Sequence, residues 1–388
     1  MRITCLRSEF AKHLGMVSRA VASRPTHPIL SNILFTCGEQ ADEVMLSGFD
    51  QSLCIQSRMT CQIHEAGAIT IPASILEGLV SRLPESEIEL SVNNTQVSLH
   101  ARCEGQVFGP YTIQALLPHD FPQLPALTVN MKTSLIKDTF LQGLAGVLFA
   151  ASTDEVKPIL TGVHMQISGK TVEFAATNGH RLAVVTTECA TATKEGDAVE
   201  PVRATIPARS LREVERLLNK CEADAVEFRL DNCTSDFQIF QADRLQVRLV
   251  TRLLDGVYPP YSKLIPTAFT TTVTLERVPL LTALERLLIL TGQRSVIKLS
   301  LQPDNNFVRL STCMGELGQG QEDVPAVIEG HPLEVGLNAK YVIDTSKAMS
   351  SEFIKIELNS PSSPVVFSPI QGINAVHLIM PIEIREFT

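Results

Sequence analysis

The sequence contains no tryptophan and only four tyrosines, and aromatic residues make up 5% of its 388 positions. Charged residues amount to 19% and hydrophobic residues to 44%, a balance that excludes a disordered chain and predicts ordinary hydrophobic cores. No stretch approaches the roughly 18 uninterrupted apolar residues of a membrane-spanning helix. The opening residues MRITCLRSEF carry charges and lack the apolar segment of a signal peptide. We therefore expect a cytoplasmic protein of two to three domains.

Signals for cysteine pairing are also missing. The nine cysteines include no C-x-x-C pair, their number is odd, and they lie within apolar or strand-like stretches. This usage predicts reduced thiols rather than a disulfide framework or a zinc site, and we expect neither a metal nor a cofactor. The glycines at 315, 318 and 320 lack the strand-to-helix setting of a phosphate-binding loop.

The chain is acidic overall. Lysine and arginine number 33 against 42 aspartates and glutamates, which gives a formal net charge of −9. Proteins that wrap nucleic acid tightly are normally basic, so the charge disfavours tight wrapping of DNA or RNA. The net charge does not exclude contact with nucleic acid that is loose, local or topological.

An internal repeat of about 130 residues is the most informative feature. Each copy contains a short strand, a proline or asparagine at the mouth of a helix, the helix itself, and two alternating strands. The three segments are AITIPASILEGLVSRLPESEIELSVNNTQVSLHA from Ala68, RATIPARSLREVERLLNKCEADAVEFRLDNCTSDFQIFQ from Arg203, and LEVGLNAKYVIDTSKAMSSEFIKIELNSPSSPVVFSP from Leu333. The period is too long for a solenoid, so each copy is a whole domain.

An amphipathic helix precedes each of these segments. The three helices read SEFAKHLGMVSRAV, TSLIKDTFLQGLAGVLFAAS and LERVPLLTALERLLILTG, and Ser8 and Thr133 are placed to cap the first two. We predict three α+β domains, residues 1–127, 128–270 and 271–388. Each would pack two helices on about eight short antiparallel strands.

The six predicted helices carry an excess of positive charge. They span residues 8–24, 73–85, 133–142, 208–220, 276–294 and 338–348, and they contain 14 basic and 9 acidic residues. Their net charge is +5, which leaves −14 for the strands and loops. Helices that faced one way would form a basic concave surface. The alternative is that they simply carry scattered lysines and arginines.

A closed ring would make use of this charge distribution. Twelve helices, each ~10 Å wide, give a circumference of ~120 Å and leave a hole of ~25–30 Å, wide enough for a hydrated duplex. Three domains supply only six helices, so the ring requires two chains. A head-to-tail contact closes such a ring when each chain spans half of the circle.

Five motifs follow one another along nearly the whole chain. They are RPTHPIL from Arg24, ATNGHRLAV from Ala176, LLDGVYPPY from Leu253, GLNAKYVID from Gly336 and LIMPI from Leu378. In order and spacing they resemble the bacterial DNA polymerase III β subunit family, the sliding clamps. The resemblance implies a homodimeric ring without catalytic residues, which encircles double-stranded DNA independently of sequence and tethers the replicative polymerase.

The resemblance also implies a pocket between the second and third domains. It would bind short linear motifs of the polymerase, the clamp loader and repair factors. The matching positions are Leu160, Thr177, Gly179, His180, Arg181, Leu182, Pro259, Leu264, Leu378, Met380, Pro381 and Ile382. Aliphatic, methionine and proline side chains would form its apolar walls. His180 and Arg181 would offer polar contacts at the rim.

Arg24 is the DNA contact that the family implies. Further candidates for lining the hole are basic residues of the predicted helices, namely Lys12, Arg19, Arg82, Arg209, Arg212 and Arg216. Their contacts would go to phosphates, which position a protein on DNA without reading the sequence.

Two alternatives belong to other functional classes. His180 beside Arg181 raises acid–base catalysis, but no acid or nucleophile stands at a supporting spacing, and a structural histidine at a turn is the simpler interpretation. The chain could also be a binding protein that kept the fold and lost ring closure. The sequence departs from the family pattern at Asn178, where aspartate is usual, and at Glu383, where the family often has arginine and then ends.

Overall fold

A computed structural model describes residues 1–38, 42–127, 131–189, 201–231, 233–241, 244–292, 295–312 and 318–384. The chain forms two compact units. The first comprises Met1–Lys137 and Arg212–Leu253, and the second comprises Asp138–Leu211 and Leu254–Thr388. None of the helices within the described ranges is both long and apolar enough to cross a lipid bilayer.

The secondary structure repeats three times along the chain. The first repeat consists of β1 (Arg2–Leu6), α1 (Arg7–Val17), β2 (Asn32–Cys37), β3 (Glu43–Phe49), β4 (Leu53–Thr60), β5 (Gln62–Glu65), β6 (Gly67–Pro72), α2 (Ala73–Val80), β7 (Glu87–Asn93), β8 (Gln96–Cys103) and β9 (Gln106–Gln114). The second consists of β10 (Met131–Ile136), α3 (Lys137–Val147), β11 (Gly162–Ser168), β12 (Thr171–Thr177), β13 (Arg181–Glu188), β14 (Val202–Pro207), α4 (Ala208–Lys220), β15 (Ala225–Leu230), β16 (Thr234–Gln241) and β17 (Arg244–Arg252). The third consists of β18 (Thr271–Glu276), α5 (Arg277–Leu288), β19 (Val296–Leu301), β20 (Phe307–Thr312), β21 (Gln321–Gly330), β22 (Leu333–Asn338), α6 (Ala339–Ala348), β23 (Phe353–Leu358), β24 (Val365–Pro369) and β25 (Asn374–Ile379).

The order of elements confirms the predicted α+β class, with two helices in each repeat. Within the described residues the repeats contain nine, eight and eight strands. The extra strand of the first repeat is β5, which pairs with β1. In the third repeat the single strand β21 corresponds to both β4 and β5. Its first half pairs with β20 and its second half with β18.

In the first unit, the strands form a five-stranded sheet in the order β5-β1-β7-β8-β9 and an eight-stranded sheet in the order β10-β15-β16-β17-β4-β3-β2-β6. The larger sheet spans two repeats. Its junction is the antiparallel pairing of β17 with β4, from Thr251 opposite Leu53 to Val247 opposite Ser57. The last strand of the second repeat therefore pairs with the fourth strand of the first.

A buried polar network lies beside this junction and reaches across it, because Arg248 Nη1 on β17 donates to Gln56 Oε1 on β4 at 3.4 Å. Asp236 on β16 is fully buried, and Arg248 Nε on β17 donates to its Oδ2 at 3.0 Å. Gln238 Nε2 donates to the same oxygen at 2.8 Å, and Arg248 lies opposite Gln56 of β4. Burial raises the pKa of the Asp236 carboxyl, and the charge of Arg248 opposes this rise. Slippage of β17 against β16 would separate the buried charges, at a cost of several kcal/mol, as for other broken buried ion pairs.

In the second unit, one sheet of twelve strands has the order β14-β11-β12-β13-β25-β24-β23-β18-β21-β20-β19-β22. It too spans two repeats, and its junction is the pairing of β25 with β13. Leu378 lies opposite Leu182, and Ile379 lies opposite Arg181. The relation seen in the first unit therefore recurs, because the last strand of the third repeat pairs with the third strand after α3 in the second.

The helices α1 and α3 pack on their sheets through phenylalanines at equivalent helix positions, Phe10 and Phe140. Phe10 of α1 meets Phe35 of β2 edge to face, with ring centroids 6.1 Å apart. Phe140 of α3 meets Phe174 of β12 at 5.8 Å. All four rings are buried, so each helix turns its apolar side towards the sheet and its polar side away.

Predicted and observed helix bounds agree best in the second half of the chain. The helix α4 has the predicted bounds, and α6 begins directly after Asn338, whose side chain accepts the backbone N–H of Lys340 at 3.0 Å. Three predicted helices are too long, because α1 ends at Val17, α2 at Val80 and α5 at Leu288. Arg24, for example, lies outside the helix and precedes a proline, which disfavours helical geometry.

The predicted helix at 133–142 begins four residues too early and ends five residues too early, and both predicted N-caps are wrong. Residues 133–136 belong to β10, where Thr133 is buried opposite Phe228, and α3 instead spans Lys137–Val147. Ser8 lies inside α1, and its backbone N–H donates to Glu85 Oε1 at 3.1 Å. The alternation of TSLI matches strand pairing, which prevailed over its fit to a helix.

Substitution of Gly143 tests how tightly α3 lies on its sheet. A Cβ at Gly143 would stand 2.5 Å from Cε2 of Phe174, so we expect Gly143→Ala to lower the free energy of unfolding by about 1–3 kcal/mol. The matched control is Gly15→Ala on α1, where the nearest atom to the new Cβ is 4.0 Å away. That change should raise stability by about 0.5–1 kcal/mol through helix propensity. Urea unfolding at one fixed protein concentration measures both, and equal effects would contradict the close packing of α3.

Candidate functional site

A tight turn between β12 and β13 carries predicted pocket residues. Gly179 has a φ of +88°, a left-handed conformation that glycine adopts without strain. The Asn178 side-chain oxygen accepts the backbone N–H groups of His180 and Arg181, both at 3.0 Å. The Thr177 hydroxyl donates to the carbonyl of Arg181 at 2.6 Å and accepts the N–H of Gly179 at 3.1 Å. These local hydrogen bonds fix the turn, and the side chain of His180 is exposed.

The Arg181 side chain lies inside the protein rather than at the rim. It is 11% exposed, and its Nη1 donates to Asp344 Oδ2 on α6 at 2.7 Å. The other terminal nitrogen donates to the backbone carbonyl of Phe149. The guanidinium also stacks between the rings of Tyr341 and Phe149, 4.4 and 5.1 Å from their centroids. Arg181 therefore ties the β12–β13 turn to a helix of the third repeat.

Residues 380–382, termed the strap, follow β25 and are fixed at both ends. The N–H of Met380 donates to the carbonyl of His180 at 2.9 Å, and the N–H of Ile382 donates to the carbonyl of Gly336 on β22 at 2.8 Å. A Cβ at Gly336 would lie 2.5 Å from the carbonyl oxygen of Ile382, so this close approach requires glycine. The strap presents Met380 and Ile382, which are 40% and 37% exposed.

Beneath the turn and the strap lies a small apolar cluster, termed the floor. Its buried members are Ala175, Leu182, Val184, Val366 and Leu378. Tyr261 and Ile265 pack against it from the segment 254–269, termed the connector. The connector also carries Pro259, which is half-buried, and Leu264, which is 56% exposed.

Except for Leu160, the predicted pocket residues belong to the turn, the strap, the floor and the connector, all of them in the second unit. The turn, the strap and the floor touch one another directly, and Tyr261 joins the connector to the floor. Leu160 is buried at the end of a short 3-10 segment, Pro158–Thr161. Its neighbour Ile159 faces the connector, with Cδ1 3.9 Å from the Cβ position of Gly256. Exposed aliphatic side chains beside a buried apolar floor can receive aliphatic anchors of a peptide.

Among the basic residues predicted to face DNA, the structure brings Arg19 and Arg216 together. Both contact the carboxylate of Glu213 on α4, Arg19 at 3.5 Å and Arg216 at 2.5 Å. The Glu213 side chain is only 9% exposed, whereas the two arginines are 44% and 49% exposed. The shared carboxylate therefore holds the two exposed guanidinium groups near each other.

The other predicted DNA-facing residues lie apart or on α4. Lys12 is 48% exposed on α1, 3.9 Å from Glu9, and Arg82 donates to the carbonyl of Gly78 at 2.7 Å. Arg24 is exposed in a bend after α1. Arg209 and Arg212 precede Arg216 on α4 at helical spacings of seven and four, which places the three on one face of the helix.

Several residues of the site escaped sequence reasoning. Asp344 and Tyr341 hold Arg181 across 163 and 160 positions of sequence, and Glu173 accepts a hydrogen bond from Tyr261 across 88. No local pattern marks such partners. Tyr261 and Asp344 do belong to the LLDGVYPPY and GLNAKYVID motifs, which is the one signal that could have pointed to them.

The thiols and potential metal ligands in the described part of the chain form neither a metal site nor a disulfide. No group of three or more histidine, cysteine, aspartate or glutamate side chains is placed there to hold a metal ion. Eight of the nine cysteines lie in this part and form no disulfide with one another, and burial raises the pKa of Cys5 and Cys54 to about 12. Cys313 and the glycine at 315 lie outside the described residues, as do residues 385–388 of the tail.

Three families match consecutive parts of the chain. Residues 1–125 match the DNA polymerase III beta subunit, N-terminal domain, residues 134–260 match its central domain, and residues 262–383 match its C-terminal domain. The beta sliding clamp of Synechococcus elongatus is 40% identical over 388 residues, covering 99% of this chain and 100% of the relative. That of Synechocystis is 39% identical, again covering 99% of this chain and 100% of the relative.

Solved structures show the same similarity. The DNA polymerase sliding clamp of Bacillus subtilis is 26% identical, covers 99% of both chains and has a TM-score of 0.87. A sliding clamp of Bartonella birtlesii, solved bound to griselimycin, is 28% identical, covers 99% of both chains and has a TM-score of 0.88.

His377 makes the stability of the second unit depend on pH. It is fully buried on β25, its ring 5.5 Å from that of Phe149, and burial lowers its pKa to about 4 despite an opposing backbone contact with Gly146. The unfolded chain binds this proton near pH 6.5, so the unfolded state holds more protons between pH 6.5 and 4. We expect the free energy of unfolding to fall as the pH falls through this window, by up to about 1.4 kcal/mol per pH unit.

The variant His377→Leu isolates this contribution. Its unfolding free energy should fall less steeply from pH 6.5 to 4 than that of the wild type. Other groups contribute to the remaining slope, among them His13 and His164, whose pKa values burial also lowers. Exposed His331 provides the control, since His331→Leu should keep the wild-type slope. Parallel curves for wild type and His377→Leu would contradict the assignment.

Proposed function

The chain belongs to the DNA polymerase III beta subunit family, the beta sliding clamps, and we propose that it is a homodimeric ring that encircles duplex DNA and tethers the replicative polymerase. The ring would hold DNA by topology, so an acidic protein can stay on a polyanion through few and weak contacts. Polymerase, clamp loader and repair factors would dock through short peptides at the site on the second unit. The proposed domains are residues 1–127, 128–270 and 271–388, and the proposed location is the cytoplasm.

The observation that carries the ring is the pattern of strand pairing between repeats. Within one chain, the last strand of the second repeat pairs with β4, and the last strand of the third pairs with β13. The equivalent strand of the first repeat, β9, is the edge strand of its sheet. The equivalent of β4 in the third repeat is the first half of β21, which pairs on one edge only within the described residues. Pairing of β9 with β21 of a second copy would repeat the same junction twice and close a head-to-tail dimer.

Exposed apolar side chains support this third junction. Val107 on β9 is 59% exposed, and Ile289 at the end of α5 is 75% exposed. Ile289 lies close to the start of β21, because Leu287 and Leu290 both approach Gly320, which immediately precedes that strand. Edge strands with exposed apolar neighbours are prone to pair with another chain.

The peptide pocket is supported by the juxtaposition of turn, strap, floor and connector. Met380, Ile382 and Leu264 are exposed beside the buried floor. Burial of two or three aliphatic side chains of a peptide could contribute ~3–6 kcal/mol before ordering costs, a range that allows partners to exchange. Contacts with DNA are assigned to Arg24 and to the basic residues of the helices, with phosphates as their targets.

Ring closure is tested with the variant Ile289→Asp. The wild type should sediment at about twice 42.4 kDa at micromolar concentration, whereas Ile289→Asp should sediment as a monomer because two apolar contacts per ring are lost. After loading by the clamp loader, the wild type should stay on nicked circular plasmid and leave it on linearisation. The variant should be retained on neither form.

The control variant for ring closure is Val327→Asp. This residue is 61% exposed on the second half of β21, which pairs with β18 rather than with the proposed partner chain. A wild type that is monomeric at all concentrations, or equally retained on circular and linear DNA, would refute the ring.

The pocket is tested with Met380→Ala and a synthetic peptide copied from the clamp-binding segment of the host's replicative polymerase. We expect the dissociation constant in calorimetry to rise about tenfold, since an aliphatic contact at the rim is lost. Deletion of residues 383–388 should leave binding unchanged or strengthen it. Ile370→Ala, at a residue that is 48% exposed between β24 and β25, serves as the control. Unchanged affinity in Met380→Ala would remove the pocket assignment.

A further inference from the structure

The connector has little regular structure of its own. Its one element is a 3-10 segment, Tyr261–Leu264, and Gly256 at its start has a φ of +115°. Yet it supplies Pro259 and Leu264, which form one wall of the proposed pocket. A pocket wall on an irregular segment needs contacts that fix it. Without them the segment would be mobile, and its ordering would reduce the affinity for a peptide.

One such contact is a hydrogen bond from the connector to the neighbouring sheet. The Tyr261 hydroxyl donates to Glu173 Oε1 on β12 at 2.5 Å. Glu173 lies opposite Gln166 of β11, and Arg203 Nε on β14 donates to Gln166 Oε1 at 2.9 Å. The carboxylate thus stands on a polar face of the sheet, where it is half-buried. A hydrogen bond to a carboxylate is stronger than one between neutral groups.

Stacked rings support the same segment. The imidazole of His164 on β11 lies parallel to the ring of Tyr258, with centroids 4.9 Å apart and an interplanar angle of 14°. Tyr261 meets both rings edge-on, at 6.1 Å from Tyr258 and 6.3 Å from His164. His164 Nδ1 lies 3.1 Å from the hydroxyl of Thr205, which orients the imidazole. The connector is therefore held against β11 and β12.

The same tyrosine reaches the floor of the pocket. Its ring packs against the apolar cluster that includes Leu182 and Leu378. Tyr261 stands between Pro259 and Leu264 in sequence, and its N–H donates to the carbonyl of Pro259 at 2.8 Å. One side chain thus joins the wall, the floor and the sheet.

We propose that Tyr261 and Glu173 are positioning residues for the peptide pocket, and that their hydrogen bond holds Pro259 and Leu264 in the arrangement that receives a peptide. The proposal rests on the proposed function of the pocket. Neither residue needs to touch the peptide. Fixing the wall before binding removes part of the ordering cost, so loss of the bond should weaken binding without removing any pocket residue.

The test is a double-mutant cycle on the full-length protein with the polymerase-derived peptide described above. Tyr261→Phe and Glu173→Leu should each raise the dissociation constant about fivefold to tenfold. Because both remove the same bond, the double variant should be no weaker than either single variant. Glu173→Gln keeps an acceptor oxygen and should bind within about twofold of the wild type.

Amide hydrogen exchange of the free protein gives a second readout. Residues 254–269 should exchange faster in Tyr261→Phe and in Glu173→Leu, and at the wild-type rate in Glu173→Gln. Glu227→Leu is the matched control, because Glu227 is also a carboxylate bound to a neighbouring strand, 2.7 Å from Lys132, but in the first unit. It should change neither peptide affinity nor exchange of the connector.

Two outcomes would overturn the proposal while leaving the pocket intact. One is wild-type affinity and wild-type exchange in both single variants. The other is an effect in the double variant equal to the product of the single effects, which would mean that the two residues act independently. Failure of the unchanged protein to bind the peptide would overturn the pocket itself, and this proposal with it.

Discussion

Main-chain hydrogen bonds between β17 and β4 join two repeats of the first unit into one sheet, and those between β25 and β13 do the same in the second unit. Such a junction needs two free strand edges of matching direction and length, and little else, because the bonding groups belong to the backbone. Side chains then add contacts across the junction, as Arg248 does with Gln56 in the first unit. A strand edge that stays unpaired within the chain, as at β9, can therefore pair with the equivalent strand edge of a second copy.

The position of the candidate pocket follows from the second junction. The turn before β13 and the strap after β25 lie side by side because those two strands pair. Backbone bonds fix both ends of the strap, at His180 and at Gly336. Because backbone bonds hold the strap, the side chains of Met380 and Ile382 are not needed to fix it and are available to contact a peptide. The connector has a backbone bond to a strand at its first residue, where the N–H of Leu254 donates to the carbonyl of Thr205 on β14, and Tyr258 and Tyr261 hold it further along through their side chains.

The internal repeat in the sequence was enough to predict six helices, the α+β class and three copies of one domain. The local pattern located α4 correctly, because the apolar residues of ARSLREVERLLNK recur every three or four positions, as in a helix. It failed at TSLIKDTF, where a strand runs directly into α3 and both patterns fit the first four residues. It failed also for Arg181, which reads as an exposed cation until Asp344, 163 positions away, is placed beside it. Contacts of that range leave no trace in a local window.

If Arg19 and Arg216 face DNA as proposed, the carboxylate that they share affects movement along it. Glu213 already neutralises part of their charge and offers each guanidinium a partner. A phosphate that approached either arginine would compete with that partner, so every new attraction would be partly cancelled by one given up. The energy of the protein would then vary little from one phosphate to the next. A ring built in this way would move along DNA with little resistance. It could follow a polymerase over many base pairs without being held at any of them.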